Sequence, residues 1–169
     1  INNKERVNVM NKQMKKQLLS RRGYRNLKAK LKSVEERQEK IRNNIKEVIS
    51  EEPKKTENPT FIELRRLLMY GIPLEIRNIE DLLKNALIIE DTESYKQADC
   101  STVFVGCNVD LMVDGEKETY WILGYDEYDE EDEEIIAYNT PFAQAIIGAK
   151  EGDIIKSRNM LIEIKAIRK

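Results

Sequence analysis

The stretch Asn139-Thr140-Pro141-Phe142-Ala143-Gln144-Ala145-Ile146-Ile147-Gly148-Ala149-Lys150-Glu151-Gly152-Asp153 decides how the second half of this 169-residue chain folds. Thr140 offers a hydroxyl to an unsatisfied first-turn amide, and Pro141 lacks an N–H at a position where none is needed. The apolar run behind them predicts a helix over residues 141–149, and Gly152 opens a strand through Ile154-Ile155. Around this helix lie short segments rich in β-branched and aromatic residues: Val103-Phe104-Val105, then 109–113, 119–123, 135–138 and 161–164. Asp114-Gly115 predicts a hairpin turn between the second and third of them. Residues 98–169 therefore read as a small antiparallel sheet with one helix packed on it. Tyr120 and Trp121 alternate along one strand, so one of the two faces the core.

The first half follows another period. Leu27, Leu31, Val34, Ile41, Ile45 and Val48 keep a 4-3 spacing broken only by Gln38, with Lys, Arg and Glu between them. A seam this narrow buries against one partner helix. Pro53, within Glu51-Glu52-Pro53-Lys54-Lys55-Thr56-Glu57-Asn58-Pro59, forces a turn, after which Phe61, Leu64, Leu68, Ile76, Ile79 and Leu83 resume helical spacing. Residues 19–90 thus read as an antiparallel helical hairpin with its tip at 51–59, and Gly71-Ile72-Pro73 predicts a break in the second helix. Residues 1–18 form a basic extension, either continuing the first helix or standing as a separate arm. The fold class is α+β.

Charge divides the chain in the same way. Residues 1–88 hold 21 Lys and Arg against 12 Asp and Glu, a balance of 21 − 12 = +9; residues 89–169 hold 8 against 19, a balance of −11. A basic surface of that kind meets phosphates, although a solvated helix face has the same composition. Without histidine the chain cannot build a Ser-His-Asp triad, an imidazole proton shuttle or a His-containing zinc site. Cys100 and Cys107 form no C-x-x-C pair and no disulfide framework, which suits a reducing cytosol. No apolar run approaches the ~18 residues a membrane span needs. Eight of the nine residues 126–134 are acidic, but no glycine lies inside the run to turn an EF-hand loop, so it reads as a solvated, self-repelling loop.

Trp121-Ile122-Leu123-Gly124-Tyr125-Asp126-Glu127, followed by the quoted stretch, resembles the C-terminal domain of the bacterial Gre-type transcript cleavage factors. That family has an "I-V-G-x-x-E" strand end and a "S-P-L-A-x-A-L-L-G-K-x-x-G-D" helix. Leu19-Ser20-Arg21-Arg22-Gly23 is similar to the family's opening to its first coiled-coil helix, and Ile79-Glu80 with Asn85-Ala86 to the end of its second. The resemblance implies an FKBP-like C-terminal domain that docks on bacterial RNA polymerase at the secondary channel, while the coiled coil enters that channel near the nascent RNA 3′ end. It implies docking through Asn139, Thr140, Pro141 and Phe142, an RNA-facing role for Arg21, Arg22 and Arg25, and a cytoplasmic monomer that is no enzyme itself.

In this family acidic tip residues help to hold a second Mg²⁺ in the polymerase active centre, where hard carboxylate oxygens suit the ion. Aligned from Gly23, the family tip "D-L-K-E-N-A-E-Y" falls on Lys54-Lys55-Thr56-Glu57-Asn58-Pro59-Thr60-Phe61. Glu57 and Asn58 keep the pattern, but Lys54 puts a cation where the first acid belongs. The resemblance therefore implies a channel-binding regulator without efficient cleavage. Two alternatives stay open: an active cleavage factor using Glu51 or Glu52 with Glu57, and a peptidyl-prolyl isomerase of FKBP-like fold. A dimerising coiled-coil protein is a third class. No tightly held cofactor is expected, only the shared Mg²⁺ of the polymerase.

Overall fold

The computed structural model describes residues 16–51, 58–127, 134–157 and 159–169. Contacts divide the chain into two compact units: residues 25–84, and residues up to 24 together with 85–169.

The first unit is a helical hairpin. Helix α1 (Arg21–Glu51) runs for 31 residues, about 46 Å at ~1.5 Å per residue. Its partner comprises α2 (Pro59–Arg66), a π-helical turn (Leu67–Gly71) and α3 (Ile72–Asn85) in one unbroken helical run. Val34, Ile41, Ile72 and Ile79 are buried along the seam, flanked by Leu27, Leu31, Ile45, Leu64, Leu68 and Leu83. The Arg37–Glu75 ion pair joins positions equidistant in sequence from residue 56, as an antiparallel pairing requires.

In place of the break expected at Gly71-Ile72-Pro73, a π turn lies within the continuous helical run. The seam residues Leu64, Leu68, Ile72, Ile76 and Ile79 are spaced 4, 4, 4 and 3, one residue more than an alternation of 4 and 3 supplies. A π turn absorbs a single extra residue: the Ile72 amide reaches back to the Leu67 carbonyl, an i→i+5 bond, and the seam regains its facing direction. Pro73, which has no amide to donate, follows directly.

In the second unit a five-stranded sheet has the order β5-β4-β3-β7-β6. The strands are β3 (Asn108–Val113), β4 (Glu116–Leu123), β5 (Ile135–Ala137), β6 (Ile154–Ser157) and β7 (Met160–Arg168). All neighbours are antiparallel except β4 and β5, which run parallel. Val109, Leu111, Ile122, Ile162 and Ile164 form the core with Ala143 and Ile146 of helix α5 (Pro141–Ile146).

Four differences from the sequence reading have local causes. Helix α5 ends earlier than residue 149 because Gly148 turns to φ +88°. The expectation that 141–149 is the one helical stretch beyond Ile89 is corrected by a second short helix, α4 (Glu93–Gln97), capped by the Thr92 hydroxyl. Val103 is buried but is no strand, since its amide and carbonyl bond Ala149 and Gly148 beyond α5. Finally, β1 (Gln17–Leu19) lies parallel to β2 (Ala86–Ile88), with Leu18 opposite Leu87. Residues 1–15 of the basic extension lie outside the described residues. Among the described residues no helix is long and apolar enough to cross a membrane.

Candidate functional site

The turn before α5 is a rigid edge. Thr140 Oγ1 donates to the Ala137 carbonyl at 2.9 Å and accepts from the Ala143 amide at 3.3 Å, while the Thr140 amide bonds Ala137 at 3.0 Å. Pro141 fills the first helical position and is exposed. Gln144 ties the other side by donating Nε2 to the Tyr138 carbonyl at 2.7 Å. Asn139 brackets Asp126: it accepts from the Asp126 amide at 3.1 Å and donates Nδ2 to Oδ1 at 2.8 Å. These two bonds hold Asp126 at φ +50°, a left-handed conformation that aspartate tolerates better than most residues.

Phe142 is half-buried, with its ring edge-to-face against Tyr120 at 5.8 Å between centroids. Its role is thus partly structural, and the exposed surface of the edge comes from Asn139 and Pro141. Tyr120 is the core-facing member of the alternating pair, whereas Trp121 is exposed. Cys107 is fully buried among the core residues, and burial pushes its thiol pKa up.

A second constellation gathers at the start of α1. Ser20, only 4% exposed, donates both its amide and its hydroxyl to the Glu127 carboxylate at 2.6 Å. The same hydroxyl accepts from the Gly23 amide at 2.9 Å, so Ser20 caps the helix while Glu127 anchors the cap. The carboxylate fits only because positions 23 and 124 are glycines: a Cβ at either would collide with it. Tyr125 donates its amide to the Leu18 carbonyl at 2.7 Å, extending the tie. The two sequence motifs that carry the family resemblance, around Ser20 and around Glu127, are therefore partners in space.

Arg21 sits in the same place. Its amide donates to both Glu90 oxygens at 3.1 Å, and its guanidinium pairs with Asp91, which raises the Arg21 pKa. Arg22 and Arg25 are exposed on the first two turns of α1. At the tip, Asn58 caps α2 by accepting from the Thr60 amide at 2.8 Å. Glu51 is the last residue of α1. Its side chain, together with Glu52, Lys54 and Glu57, lies outside the described residues, as does most of the acidic run 126–134. Among the described residues no cluster of acidic or thiol side chains has the makings of a metal site.

Glu127 and Asp126 are the residues that sequence reasoning missed, because both were read as members of a solvated acidic run. The usable signal was the pair of glycines, Gly23 and Gly124, in otherwise apolar or charged surroundings.

Comparison with known proteins points one way. The family model "Transcription elongation factor, GreA/GreB, C-term" matches residues 97–169. The chain is 37% identical over 82 residues to a protein named transcription elongation factor GreA of Alkalilimnicola ehrlichii, covering 47% of this chain and 49% of that protein. The protein of the same name from Thioalkalivibrio sulfidiphilus is 42% identical over 82 residues, with the same two shares. The chain thus spans about half the length of the curated relatives it matches. Among solved structures, GreA factor homolog 1 (Gfh1) of Thermus thermophilus superimposes with a TM-score of 0.39 at 20% identity, covering 90% of this chain and 98% of that one. Gfh1 of Thermus aquaticus gives 0.38 at 19% identity, over 90% and 97%.

Proposed function

We propose that this chain, whose residues 97–169 match the Gre-type C-terminal family model, is a factor of that type that binds bacterial RNA polymerase and regulates elongation without efficient transcript cleavage. One observation carries the reading: the family match covers the region in which Asp126, Asn139, Thr140 and Pro141 are locked into a single edge by hydrogen bonds. A surface held this firmly loses little conformational entropy on docking. The edge docks on the polymerase, and the basic hairpin reaches through the secondary channel toward the active centre and the RNA 3′ end. The chain acts as a monomer there.

The chemistry then turns on the tip. A carboxylate close to the polymerase's catalytic Mg²⁺ would share that ion, whereas the Lys54 ammonium repels it. Glu51, Glu52 and Glu57 are the remaining oxygen donors within the tip. Without the first acid the hairpin occupies the channel and does not promote hydrolysis.

Two substitutions test the two steps. Pro141→Glu keeps the first turn of α5 well populated, since an acid is favourable there, but changes the exposed edge. It is expected to weaken binding to RNA polymerase by about tenfold or more at unchanged melting temperature, the loss of one central contact; equal affinity would overturn the docking edge. Lys54→Asp is expected to raise cleavage of backtracked RNA in stalled complexes, and efficient cleavage by the unaltered chain would overturn the non-cleaving reading.

A further inference from the structure

The seam of the hairpin accounts for the apolar residues of one helix face, but not for a second set on its returning helix. Ile62, Met69, Tyr70 and Leu74 are exposed by 57%, 57%, 68% and 59%. Their spacings of 7, 1 and 4 spread them over one broad face of the helical run, about 18 Å from end to end at ~1.5 Å per residue. Four large exposed apolar residues on one face are uncommon on a surface that meets only water. The π turn sits in the middle of this face: Met69 and Tyr70 both belong to it, and π turns recur at functional positions because they re-aim side chains.

The border of this face selects its partner. Arg65, Arg66 and Arg77 are exposed beside it. Glu63 lies 3.9 Å from Arg66, and Glu75 is engaged with Arg37 on α1. Arg65 and Arg77 leave the border with a positive excess. A second copy of this chain would set arginines against arginines if two such faces met about a twofold axis. Nucleic acid would use the arginines and Tyr70, but Ile62, Met69 and Leu74 offer no ring for a base to stack on. An apolar protein surface bordered by carboxylates satisfies both parts.

We propose that this face is a second docking surface of the chain, with Met69, Tyr70 and Leu74 as anchors, and that its occupant is an acid-rimmed apolar surface of RNA polymerase. This rests on the function proposed above and adds a contact to it: the hairpin is gripped along its side as well as anchored through the C-terminal edge. The π turn then has a purpose, since it keeps the seam in register while turning two large side chains to the outside.

The test measures binding of the full chain to core RNA polymerase at two salt concentrations, for the unaltered protein, for Met69→Ser/Tyr70→Ser/Leu74→Ser and for Arg65→Glu/Arg66→Glu. Circular dichroism melts check the fold, and sedimentation checks self-association. The serine triple variant is expected to lose about tenfold or more in affinity, as anchor residues do, at an unchanged melt. The arginine variant is expected to lose several-fold, more at low salt than at high salt. If the unaltered chain binds and both variants bind equally well, the face is no docking surface, while the proposed function stands. If the triple variant abolishes a self-association and leaves polymerase affinity intact, the occupant is a second copy and the proposal falls. A chain that fails to bind polymerase at all overturns the proposed function and this inference together, a result distinct from the first two. Should the triple variant melt early, Tyr70→Ser alone, at the most exposed of the four positions, decides by the same affinity loss.

Discussion

The hairpin and the sheet unit are held by different kinds of contact. In the hairpin, order comes from one row of aliphatic side chains, with Ile72 and Ile79 against Val34 and Ile41, and the Arg37–Glu75 ion pair lies beside it. In the sheet unit a wider core is supplemented by polar ties between distant positions: Ser20 to Glu127, Arg21 to Asp91, and Asp110 to Arg168. A single seam makes each of its residues matter alone, whereas a sheet with polar ties spreads the load. The difference teaches that a one-row seam and a sheet with polar ties distribute stability in opposite ways.

The strongest way to break that contrast is Ile72→Ala, since Ile72 is fully buried at the centre of the seam. We expect a loss of about 2–4 kcal/mol, the usual cost of emptying a buried isoleucine site. The far-UV helical signal should melt earlier, while Trp121, the chain's single tryptophan and a residue of the sheet, should report an unshifted transition. One common transition for both probes would mean that the units do not unfold separately.

Gly23→Ala probes the polar tie at the start of α1. Glycine to alanine within a helix ordinarily stabilises by roughly 1 kcal/mol. Here the new methyl would collide with the Glu127 carboxylate, so the sign is expected to reverse, with a net loss of about 1–2 kcal/mol from the broken cap and its bonds. In a Glu127→Ala background the same substitution should regain its normal stabilising sign, and a thermal-melt double-mutant cycle reads the coupling directly.

The smallest effect concerns Asp110. Hydrogen bonds from Arg168, and secondarily from Thr119, hold its pKa below the ordinary carboxylate value, against a smaller opposing effect of burial. Its contribution is fully present above the unfolded value near pH 4 and is lost as pH falls through the lower folded value. Because Arg168 is about half exposed and Asp110 about a third, solvent screening should keep the magnitude below about 1 kcal/mol. Asp110→Asn should flatten the acid limb of the stability curve by that amount and leave the neutral region nearly unchanged, as urea unfolding between pH 2 and 6 would measure.

What was legible in the sequence follows the same division. The hairpin was readable because a seam imposes a period, and Leu27 to Val48 kept it over 22 residues despite Gln38. Even the π turn was present as an extra residue between Leu68 and Ile76, but Pro73 drew attention to a break when the chain needed only a re-phasing. The turn at Thr140 and Pro141 was legible from cap chemistry alone. The β1–β2 pairing was not, since a parallel ladder of three residues on each strand rests on backbone bonds that leave no side-chain period. Glu127 was hidden for a different reason: a run of like charges predicts repulsion into solvent, and Gly124 alone does not say that the carboxylate is claimed by a helix start 107 residues away.

The β1–β2 ladder has a topological consequence. The chain enters the hairpin just after Leu19 and leaves it just before Ala86, and adjacent strands lie about 4.8 Å apart. Residues 25–84 therefore form a guest segment inserted through a closed gate in a host whose own ends of chain are already joined by hydrogen bonds. The entropic cost of closing such a loop grows only with the logarithm of its length. Hairpin length can thus drift by whole turns while the host keeps the same gate, the same strand register and the same Ser20 to Glu127 latch.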